Sequence, residues 1–352
     1  MTHSIRRREF LKTISAGMAL AGAGIPLPGK TKLQSLAKLT DKKTMVGPPV
    51  PNVALIKGPD RKTNMYDALT LIENDIKSSI GDKQVVIKPN FTRVDKKDWL
   101  ASTHVDNIRA FLEFLKPFYN KKVIIAEGTG TADPIGLPLD NYGYNDLKKD
   151  YDVEFFDLMK DTWSTVSLMD GSIHPMPVAA SNLMLNPDIY LVSAAVMKTH
   201  SLALVTLGLK NILMAAPMNF GGRNNDRSKL HKDNVMKNPR YFNYNLFLMA
   251  HHVLPDLTLI DGFVGMQGNG PLTGDPIEVG VAIAGADVIA ADRVGCEVMG
   301  HNFNDVGHLV YCADAGMGEG DLTKINLLGN RISECKKSFR PADSLKKIIK
   351  WK

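Results

Sequence analysis

The sequence predicts an α/β fold, in which helices cover both faces of a mostly parallel β-sheet, built as one lobe or two. Three observations predict it. Several short β-branched runs are apolar along their whole length, as is typical of strands buried on both faces. Segments with apolar residues at spacings of three and four lie between them, and this alternation favours parallel βαβ units. The chain has 352 residues, of which 44% are apolar and 23% charged, so a sizeable core can form.

The predicted elements follow one another in a regular order. Seven runs are typical of strands, namely Val53–Lys57, Gln84–Lys88, Lys122–Ala126, Val153–Leu158, Ile189–Ala194, Leu257–Ile260 and Val279–Ala284. Four periodic segments predict helices, namely Met65–Ser79, Val105–Tyr119, Arg240–Val253 and Asp287–Met299. Thr103 and His104 can cap the second of these helices, and Gly300 can end the last.

The first 23 residues resemble a twin-arginine signal peptide. Arg7-Arg8-x-Phe10-Leu11-Lys12 matches the consensus, a small-residue apolar stretch follows, and Ala-Leu-Ala at 19–21 or Ala-Gly-Ala at 21–23 supplies a cleavage site. The resemblance implies a twin-arginine translocase as a partner during export. It also implies a periplasmic or other extracytoplasmic location for the mature chain.

Composition divides the rest of the chain into three segments. Residues 24–51 are lysine- and proline-rich without periodicity and predict a linker, residues 52–330 form the α/β domain, and residues 331–352 form a C-terminal helical tail. Within the domain, residues 217–238 are rich in Asn, Gly, Lys and Arg and exceed an ordinary connection in length. They predict either a functional loop or a disordered insertion, and both interpretations stay open.

Charge, cysteine content and hydropathy exclude several classes of protein. The net charge is +6, but the first 23 residues contribute +3 of it, so the mature chain lacks the basic excess of a nucleic-acid-binding protein. Three cysteines, Cys296, Cys312 and Cys335, are too few and too widely spaced for an iron–sulfur cluster or a disulfide framework. No apolar run after the N-terminal segment reaches about 18 residues, so we expect no integral membrane segment in the mature chain.

Polar side chains follow several of the predicted strands at the point where each strand ends. Lys88 and Asn90, Glu127, and Asp261 occupy such positions. In open α/β sheets, ligands bind outside the carboxyl ends of the strands. We therefore expect a substrate site at this edge, with binding residues Lys88, Asn90, Glu127, Asn211 and Asn269, the last from the glycine-rich loop that follows Asp261.

The segment 196–211 carries the candidate catalytic residues Lys198, His200 and Lys210. Thr206 and Lys210 are four residues apart and are expected on one helix face. The two lysines lie in an apolar context and would be costly to bury without anionic partners. Those partners are either an anionic ligand or structural carboxylates such as Glu127, Asp261 or Asp292, and the sequence does not decide between them.

Histidine allows two further roles. His200, His231 and Asp261 are candidate ligands of a divalent metal, although no HExxH-type spacing fixes two of them on one element. Equally, a histidine here can serve as general acid or base, because its unperturbed pKa lies near neutrality.

Taken in order, these motifs resemble one family, catalogued as domain of unknown function 362. The resemblance rests on Lys88-Pro-Asn90, Thr103-His104, Glu127-Gly128, Lys198-Thr-His200, Thr206-Leu-Gly-Leu-Lys210-Asn211, His231, Asp256 to Asp261-Gly262, Gly268-Asn-Gly-Pro271, and Asp287 with Asp292. It covers about residues 52–330 and implies an α/β protein. Many relatives carry an added ferredoxin-like domain with cysteine clusters, which this chain lacks, so an iron–sulfur cluster is not carried over from the resemblance.

The resemblance implies no general reaction, so function rests on the residues. They favour an exported enzyme that acts on a small anionic substrate at a site lined by Lys, His and Asp. A non-catalytic ligand-binding protein and a redox-accessory protein of the cell envelope are the alternatives. Substrate, reaction class, metal identity and oligomeric state stay open.

Overall fold

The β-branched runs assemble into a nine-stranded mixed sheet within the residues that the computed structural model describes, which are 50–131, 133–218, 239–347 and 351. The strands are β1 Asn52–Lys57, β2 Gln84–Lys88, β3 Val123–Glu127, β4 Val153–Asp157, β5 Trp163–Met169, β6 Pro175–Ser181, β7 Ile189–His200, β8 Leu204–Thr206, β9 Leu257–Gln267, β10 Asp275–Gly285 and β11 Asn326–Gly329. Their order in the sheet is β11-β1-β10-β9-β7-β2-β3-β4, with β8 beside the end of β7. Strands β5 and β6 form a separate two-stranded sheet.

Most strand pairs of the large sheet are parallel. Strands β9, β7, β2, β3 and β4 pair in parallel with their neighbours along the order, whereas β10 runs antiparallel to both β9 and β1. In the pairing of β2 with β7, Lys88 lies opposite Ser193, so β7 continues for seven residues beyond the last pair with β2, to His200. The carboxyl ends of β2, β3 and β7 therefore meet at one edge.

Helices cover both faces of the sheet. They are α1 Arg61–Leu71, α2 Glu73–Ile80, α3 Val105–Leu115, α4 Gly136–Asn141, α5 Leu147–Asp150, α6 Asn182–Leu185, α7 Gly208–Leu213, α8 Pro239–Ala250, α9 Val288–Met299, α10 Gly307–Asp314 and α11 Ile332–Cys335. Val85 and Ile87 of β2 pack into the core beneath α1, α2 and α3, whereas Val86 packs into the core beneath α7, α8, α9 and α10. Successive side chains of a strand point to opposite faces, so a continuously apolar strand supplies both cores.

The predicted fold class is confirmed. Helices α3, α8 and α9 lie within two to four residues of their predicted limits, and Asp287 and Gly300 flank α9 as its N-cap and C-cap. The segment Met65–Ser79 was predicted as one helix, but it contains two, because Ile72 has φ −115° and ψ 22°, outside the helical region. Sequence patterns missed β5, β6, β8 and β11, of which β8 and β11 have only three and four residues.

One local prediction is wrong. Thr206 and Lys210 do not share a helix face, because Thr206 ends β8 and helix α7 begins only at Gly208. Thr206 instead pairs with Lys198 across the short hairpin of β7 and β8. Leu204, the first residue of β8, has φ +66°, a conformation that apolar periodicity does not reveal.

The C-terminal segment packs on the main core. Phe339 and Leu345 are buried in the core beneath α9, and the backbone N–H of Phe339 donates to the carbonyl of Met299. The signal-like residues 1–23 and most of the predicted functional loop, residues 219–238, lie outside the described residues. In the part of the chain that the structure describes, no helix is both long and apolar enough to cross a membrane.

Candidate functional site

A cavity of about 300 Å³ lies where β2, β3 and β7 end. Helix α7 and the loop after β9 close its sides. The residues that line it are Lys88, Asn90, Phe91, Thr92, Arg93, Glu127, Gly130, Thr131, Lys198, His200, Thr206, Lys210, Asn211, Met214, Pro271 and Leu272. We call it the lysine cavity, because Lys88, Lys198 and Lys210 are all buried in its wall.

Lys88, at the end of β2, is held by an ion pair. Its Nζ lies 2.9 Å from Oε2 of Glu127, at the end of β3, and donates to Oδ1 of Asn211 at 2.6 Å. Glu127 also accepts the backbone N–H groups of Phe91 and Gly128. Both charged side chains are at most 4% exposed, so this pair is shielded from water and fixes the two strand ends relative to each other.

Lys198, on β7, donates to three neutral oxygens. Its Nζ lies 2.6 Å from Oδ1 of Asn90, 2.8 Å from Oγ1 of Thr92 and 2.7 Å from the carbonyl of Ala101. Burial, reinforced by the charges of Lys210 and Lys88, lowers the pKa of Lys198 well below its usual value. Three acceptors nevertheless match the three N–H donors of an ammonium, whereas a neutral amine has only two. We therefore treat Lys198 as a charged group that the surrounding oxygens hold in place.

Lys210, on α7, differs from the other two lysines. It makes no hydrogen bond or ion pair with any residue that the structure describes, and its Nζ lies 5.8 Å from the ring centre of Phe242. Burial and the nearby charge of Lys88 lower the pKa of Lys210 to about 7. Its side chain is therefore poised between the ammonium and the neutral amine near neutral pH.

A buried carboxylate on α9 holds the first residues of helix α7 in position. Asp292, on α9, accepts the backbone N–H of Gly208 at 2.7 Å and that of Leu209 at 2.9 Å. Gly208 leaves no room for a side chain, because a Cβ there would lie 2.2 Å from Cγ2 of Thr258. This close packing fixes the position from which Lys210 and Asn211 enter the cavity.

His200 ends β7 and faces the same cavity. Its Nδ1 accepts the backbone N–H groups of Leu202 at 3.0 Å and Ala203 at 3.2 Å, and its ring stacks on Phe242 with centroids 5.9 Å apart. An Nδ1 that accepts two hydrogen bonds carries no proton, so the neutral ring carries its proton on Nε2. His200 thus has a defined tautomer, as a proton-transfer group requires.

The lysine cavity combines excess positive charge with an unsatisfied polar atom. In the part of the chain that the structure describes, its lining contains three lysines and Arg93 but one carboxylate, that of Glu127. Oγ1 of Thr206, a residue only 2% exposed, is buried without a hydrogen-bond partner among the described residues. Buried polar atoms are normally satisfied, so both features fit a site that binds an anion with oxygen acceptors.

The structure brings together seven of the residues that the sequence singled out. They are Lys88, Asn90, Glu127, Lys198, His200, Lys210 and Asn211. Asn269 does not line the cavity, because its side-chain amide exchanges hydrogen bonds with Asp343. Its neighbours Pro271 and Leu272 do line it, and a Cβ on Gly270 would lie 2.1 Å from the carbonyl of Thr199, so this loop packs tightly on β7.

The candidate metal ligands are not all described. His231 lies outside the described residues. Asp261 lies on the face beneath α1, where its Oδ1 is 3.4 Å from Nε of Arg61, whereas His200 stacks on Phe242 in the core of the opposite face. Within residues 50–131, 133–218, 239–347 and 351, no group of three or more His, Cys, Asp or Glu side chains is placed to hold a metal ion. The metal site stays a prediction.

Several residues that line the cavity were not predicted from the sequence as site residues. Thr92 and Arg93 follow Asn90 in the loop after β2, and Thr206 enters through the β7–β8 hairpin. Thr92 lies in the loop after β2, two residues beyond the predicted site residue Asn90, and this position was the one feature that could have indicated it. The contact of Thr206 with the site depends on a hairpin register that the sequence pattern did not show.

A second depression, of about 600 Å³, is more open and lies elsewhere. Its charged side chains include Lys62 and Glu113, whose Nζ and Oε1 are 2.9 Å apart and both about 40% exposed. Exposed, paired charges of this kind are common on protein surfaces. We therefore assign the candidate site to the smaller lysine cavity.

The chain is similar to a known family and to individual known proteins. The profile of a family described as "Domain of unknown function (DUF362)" matches residues 85–297, a range that includes all seven of the residues that sequence and structure place in the cavity. A thylakoid-associated protein of Synechocystis sp. is 25% identical over 224 residues, which are 62% of this chain and 63% of that protein. The matched stretch thus spans less than two thirds of the relative's own length.

A solved structure from Thermotoga maritima is similar only in part. It has 11% sequence identity and a TM-score of 0.38, over 69% of this chain and 60% of that one. A likeness at this level adds nothing to the fold described above. The family profile, by contrast, matches more than half of the chain, and the protein therefore belongs to the DUF362 family.

Proposed function

We propose that this protein is an enzyme that binds a small anionic substrate in the lysine cavity. Lys88, Lys198 and Lys210 attract the anion, and His200 transfers protons. Asn90, Asn211 and Glu127 hold the lysines in position. The observation that carries the proposal is the charge imbalance, in which three buried lysines face one carboxylate among the residues that the structure describes.

The energetic argument concerns Lys210 in particular. Removing an ammonium from water without a partner costs several kcal/mol, on the order of the whole stability of a domain. Lys88 and Lys198 recover much of this cost through Glu127 and through neutral oxygens. Lys210 has no such partner among the described residues. An anionic ligand would pair with the Lys210 ammonium. Because folding has already removed this ammonium from water, binding the anion does not require that desolvation again, and the affinity is higher for that reason.

The size of the cavity indicates the size of the ligand. Small-molecule pockets typically measure about 300–1,000 Å³, and this cavity of about 300 Å³ lies at the lower limit. A ligand with few non-hydrogen atoms fits, whereas a polymer would have to remain largely outside. The substrate class is accordingly a small organic acid or a small phosphorylated compound.

We also propose that the protein acts outside the cytoplasm. The twin-arginine pattern at Arg7-Arg8 supports export, and the matched relative is itself described as thylakoid-associated. Replacing Arg7 and Arg8 together by lysine should retain the full-length precursor in the cytoplasm, as fractionation and immunoblotting would detect. Unchanged export of that variant would contradict this part of the proposal.

The anion site is tested by binding measurements on the full chain. Isothermal titration with phosphate, pyruvate, malate and acetate should show saturable binding of at least one anion, and Lys210→Met should weaken it about tenfold or more, because hydrogen bonds to charged groups contribute about 1.5–3 kcal/mol. Lys116→Met is the matched control, because Lys116 is exposed and lines the other depression. Binding that is absent for all four anions, or equal in wild type and Lys210→Met, would refute the proposal.

Turnover then separates an enzyme from a binding protein. Any anion that binds is followed by one-dimensional NMR in the presence of the protein and of its His200→Gln variant. Consumption by the wild type and loss of consumption in the variant support catalysis. Tight retention without chemical change would instead favour the non-catalytic ligand-binding protein.

A further inference from the structure

The three lysines of the cavity are not equivalent. Lys88 pairs with Glu127 and donates to Asn211. Lys198 donates to three oxygens, one for each N–H of its ammonium. These two side chains are fixed charges. Lys210 makes no hydrogen bond or ion pair with the described residues, so its nitrogen is the one available for a reaction.

The surroundings of Lys210 favour a neutral amine. Among the described residues, the titratable groups that act on it from neighbouring elements are cationic or uncharged: Lys88 on β2, Lys198 on β7 and the buried His308 on α10. Phe242 of α8 contributes only its ring. An amine that is desolvated beside other cations becomes a nucleophile near neutral pH, since its lone pair is no longer held by a proton.

We propose that Lys210 forms an imine with a small oxo acid, a carbonyl compound that also carries a carboxylate. The inference rests on the proposed anion site and names the substrate class for it. The fixed charges of Lys88 and Lys198 attract the carboxylate, while the carbonyl carbon meets Nζ of Lys210. Neither an alcohol nor a simple carboxylic acid offers the electrophilic carbon that this amine requires.

The reaction is balanced without an external oxidant or reductant. The lone pair of Nζ forms a bond to the carbonyl carbon, and the π electrons of the C=O bond move onto oxygen, which takes up a proton. Nitrogen then loses a proton, and the hydroxyl group leaves as water after a second protonation, so that a C=N⁺ iminium forms. The net change consumes one amine, one carbonyl and one proton and releases one water.

His200 is placed to carry protons in this sequence. The ring centroids of His200 and Phe242 are 5.9 Å apart, Nζ of Lys210 lies 5.8 Å from the same Phe242 centroid, and both side chains line the cavity. The acceptor role of Nδ1 leaves Nε2 as the nitrogen that exchanges protons. Since the iminium withdraws electrons from the adjacent carbon, a proton or a carboxylate on that carbon becomes labile, which is the chemistry this site would then perform.

Reductive trapping tests the inference directly. The full chain is incubated with pyruvate and sodium cyanoborohydride at pH 7, and the product is analysed by intact mass spectrometry and peptide mapping. We expect a single reduced adduct at Lys210, formed at least about tenfold faster than adducts at exposed lysines such as Lys116, because neutral amines alone react. Lactate, which lacks the carbonyl, should give no adduct, and acetone, which lacks the carboxylate, should react more slowly.

The controls keep the inference falsifiable even if a variant fails to fold. Excess phosphate should slow labelling of Lys210 in the wild type by competing for the cavity, and Lys210→Met should lose the adduct. Labelling spread evenly over surface lysines, or none at Lys210, would overturn the inference. Pyruvate that binds by titration without forming an adduct would overturn the imine alone and leave the anion site standing, so the two proposals fail separately.

Discussion

Two buried clusters of charge lie on opposite faces of the sheet, and they solve the same physical problem differently. In the lysine cavity, cations outnumber carboxylates. In the second cluster, on the face beneath α1 and α3, Arg61 lies 3.4 Å from Asp261 and over the ring of Phe263, and the backbone N–H of His104 donates to Asp261. There the cation Arg61 has a carboxylate beside it, whereas in the cavity Lys210 has none among the described residues.

The difference distinguishes a charge cluster that stabilises the fold from one that is suited to bind a ligand. The Asp261 cluster joins three elements, because Asp261 belongs to β9, Arg61 begins α1 and His104 caps α3. Burial raises the pKa of Asp261, and the charge of Arg61 opposes that shift, so the two opposite charges balance each other in part. Balanced buried charge holds elements together, whereas unbalanced buried charge requires something from outside the chain.

The largest effect is expected from breaking the balanced cluster. Asp261→Ala removes the carboxylate beside Arg61 and should lower the free energy of unfolding by about 3–5 kcal/mol, because it leaves a buried charge without its partner. Urea denaturation monitored by circular dichroism would measure it. The control is Asp152→Ala, since Asp152 is 70% exposed and 3.9 Å from Lys122, and its loss should cost less than about 1 kcal/mol. Equal losses in both variants would contradict the comparison.

The same comparison shows what the sequence could reveal. Strand ends were recognisable from apolar runs that stop at Lys88, Glu127 and Lys198, and parallel strands bring such ends to one edge, so most of the cavity could be predicted. The placement of Asp261 could not be predicted. Strands that are apolar on both faces have no alternating pattern to show on which face a given side chain lies.

Asp261 lies on the opposite face for a reason that only the register shows. Along β9, Leu257 and Leu259 pack into the core beneath α1 and α3, and alternation places Asp261 on that same face. An irregularity in the pairing of β7 with β9, between Val196 and Lys198, then separates Asp261 from the end of β7. Such a shift leaves no mark in hydrophobic periodicity.

Removing the unbalanced charge of Lys210 should stabilise the protein, whereas removing Asp261 should destabilise it. Lys210→Met replaces a buried ammonium by an apolar side chain of similar length and should raise the free energy of unfolding of the ligand-free protein by about 1–4 kcal/mol at pH 7, the range found when buried charges are replaced by apolar groups. Thermal and urea denaturation would measure the gain, with Lys116→Met as the neutral reference. A destabilised Lys210→Met would show that Lys210 has a structural partner and would remove the contrast between the two clusters.

The smallest and most specific effect is in the pH dependence of stability. Lys210 has a pKa of about 7 in the folded chain against 10.5 when free, so between these values the unfolded chain binds more protons than the folded one. The free energy of unfolding should therefore rise with pH above 7, by up to about 1.4 kcal/mol per pH unit from this group.

Buried acidic groups make the free energy of unfolding fall as pH rises, and they do so in a lower pH range. Burial raises the pKa of Asp292 to about 7 and also raises that of Asp261, so their stabilising contribution falls as pH rises from about 4 toward neutrality. Urea titrations of wild type and Lys210→Met from pH 7 to 9 isolate Lys210 as the difference between two slopes, and Asp261→Ala should leave the wild-type slope unchanged. A bound anion, by pairing with the Lys210 ammonium, should flatten the wild-type slope toward that of Lys210→Met. Identical slopes for ligand-free wild type and Lys210→Met would mean that Lys210 keeps its proton throughout this range. Another group of the protein would then have to stabilise its ammonium.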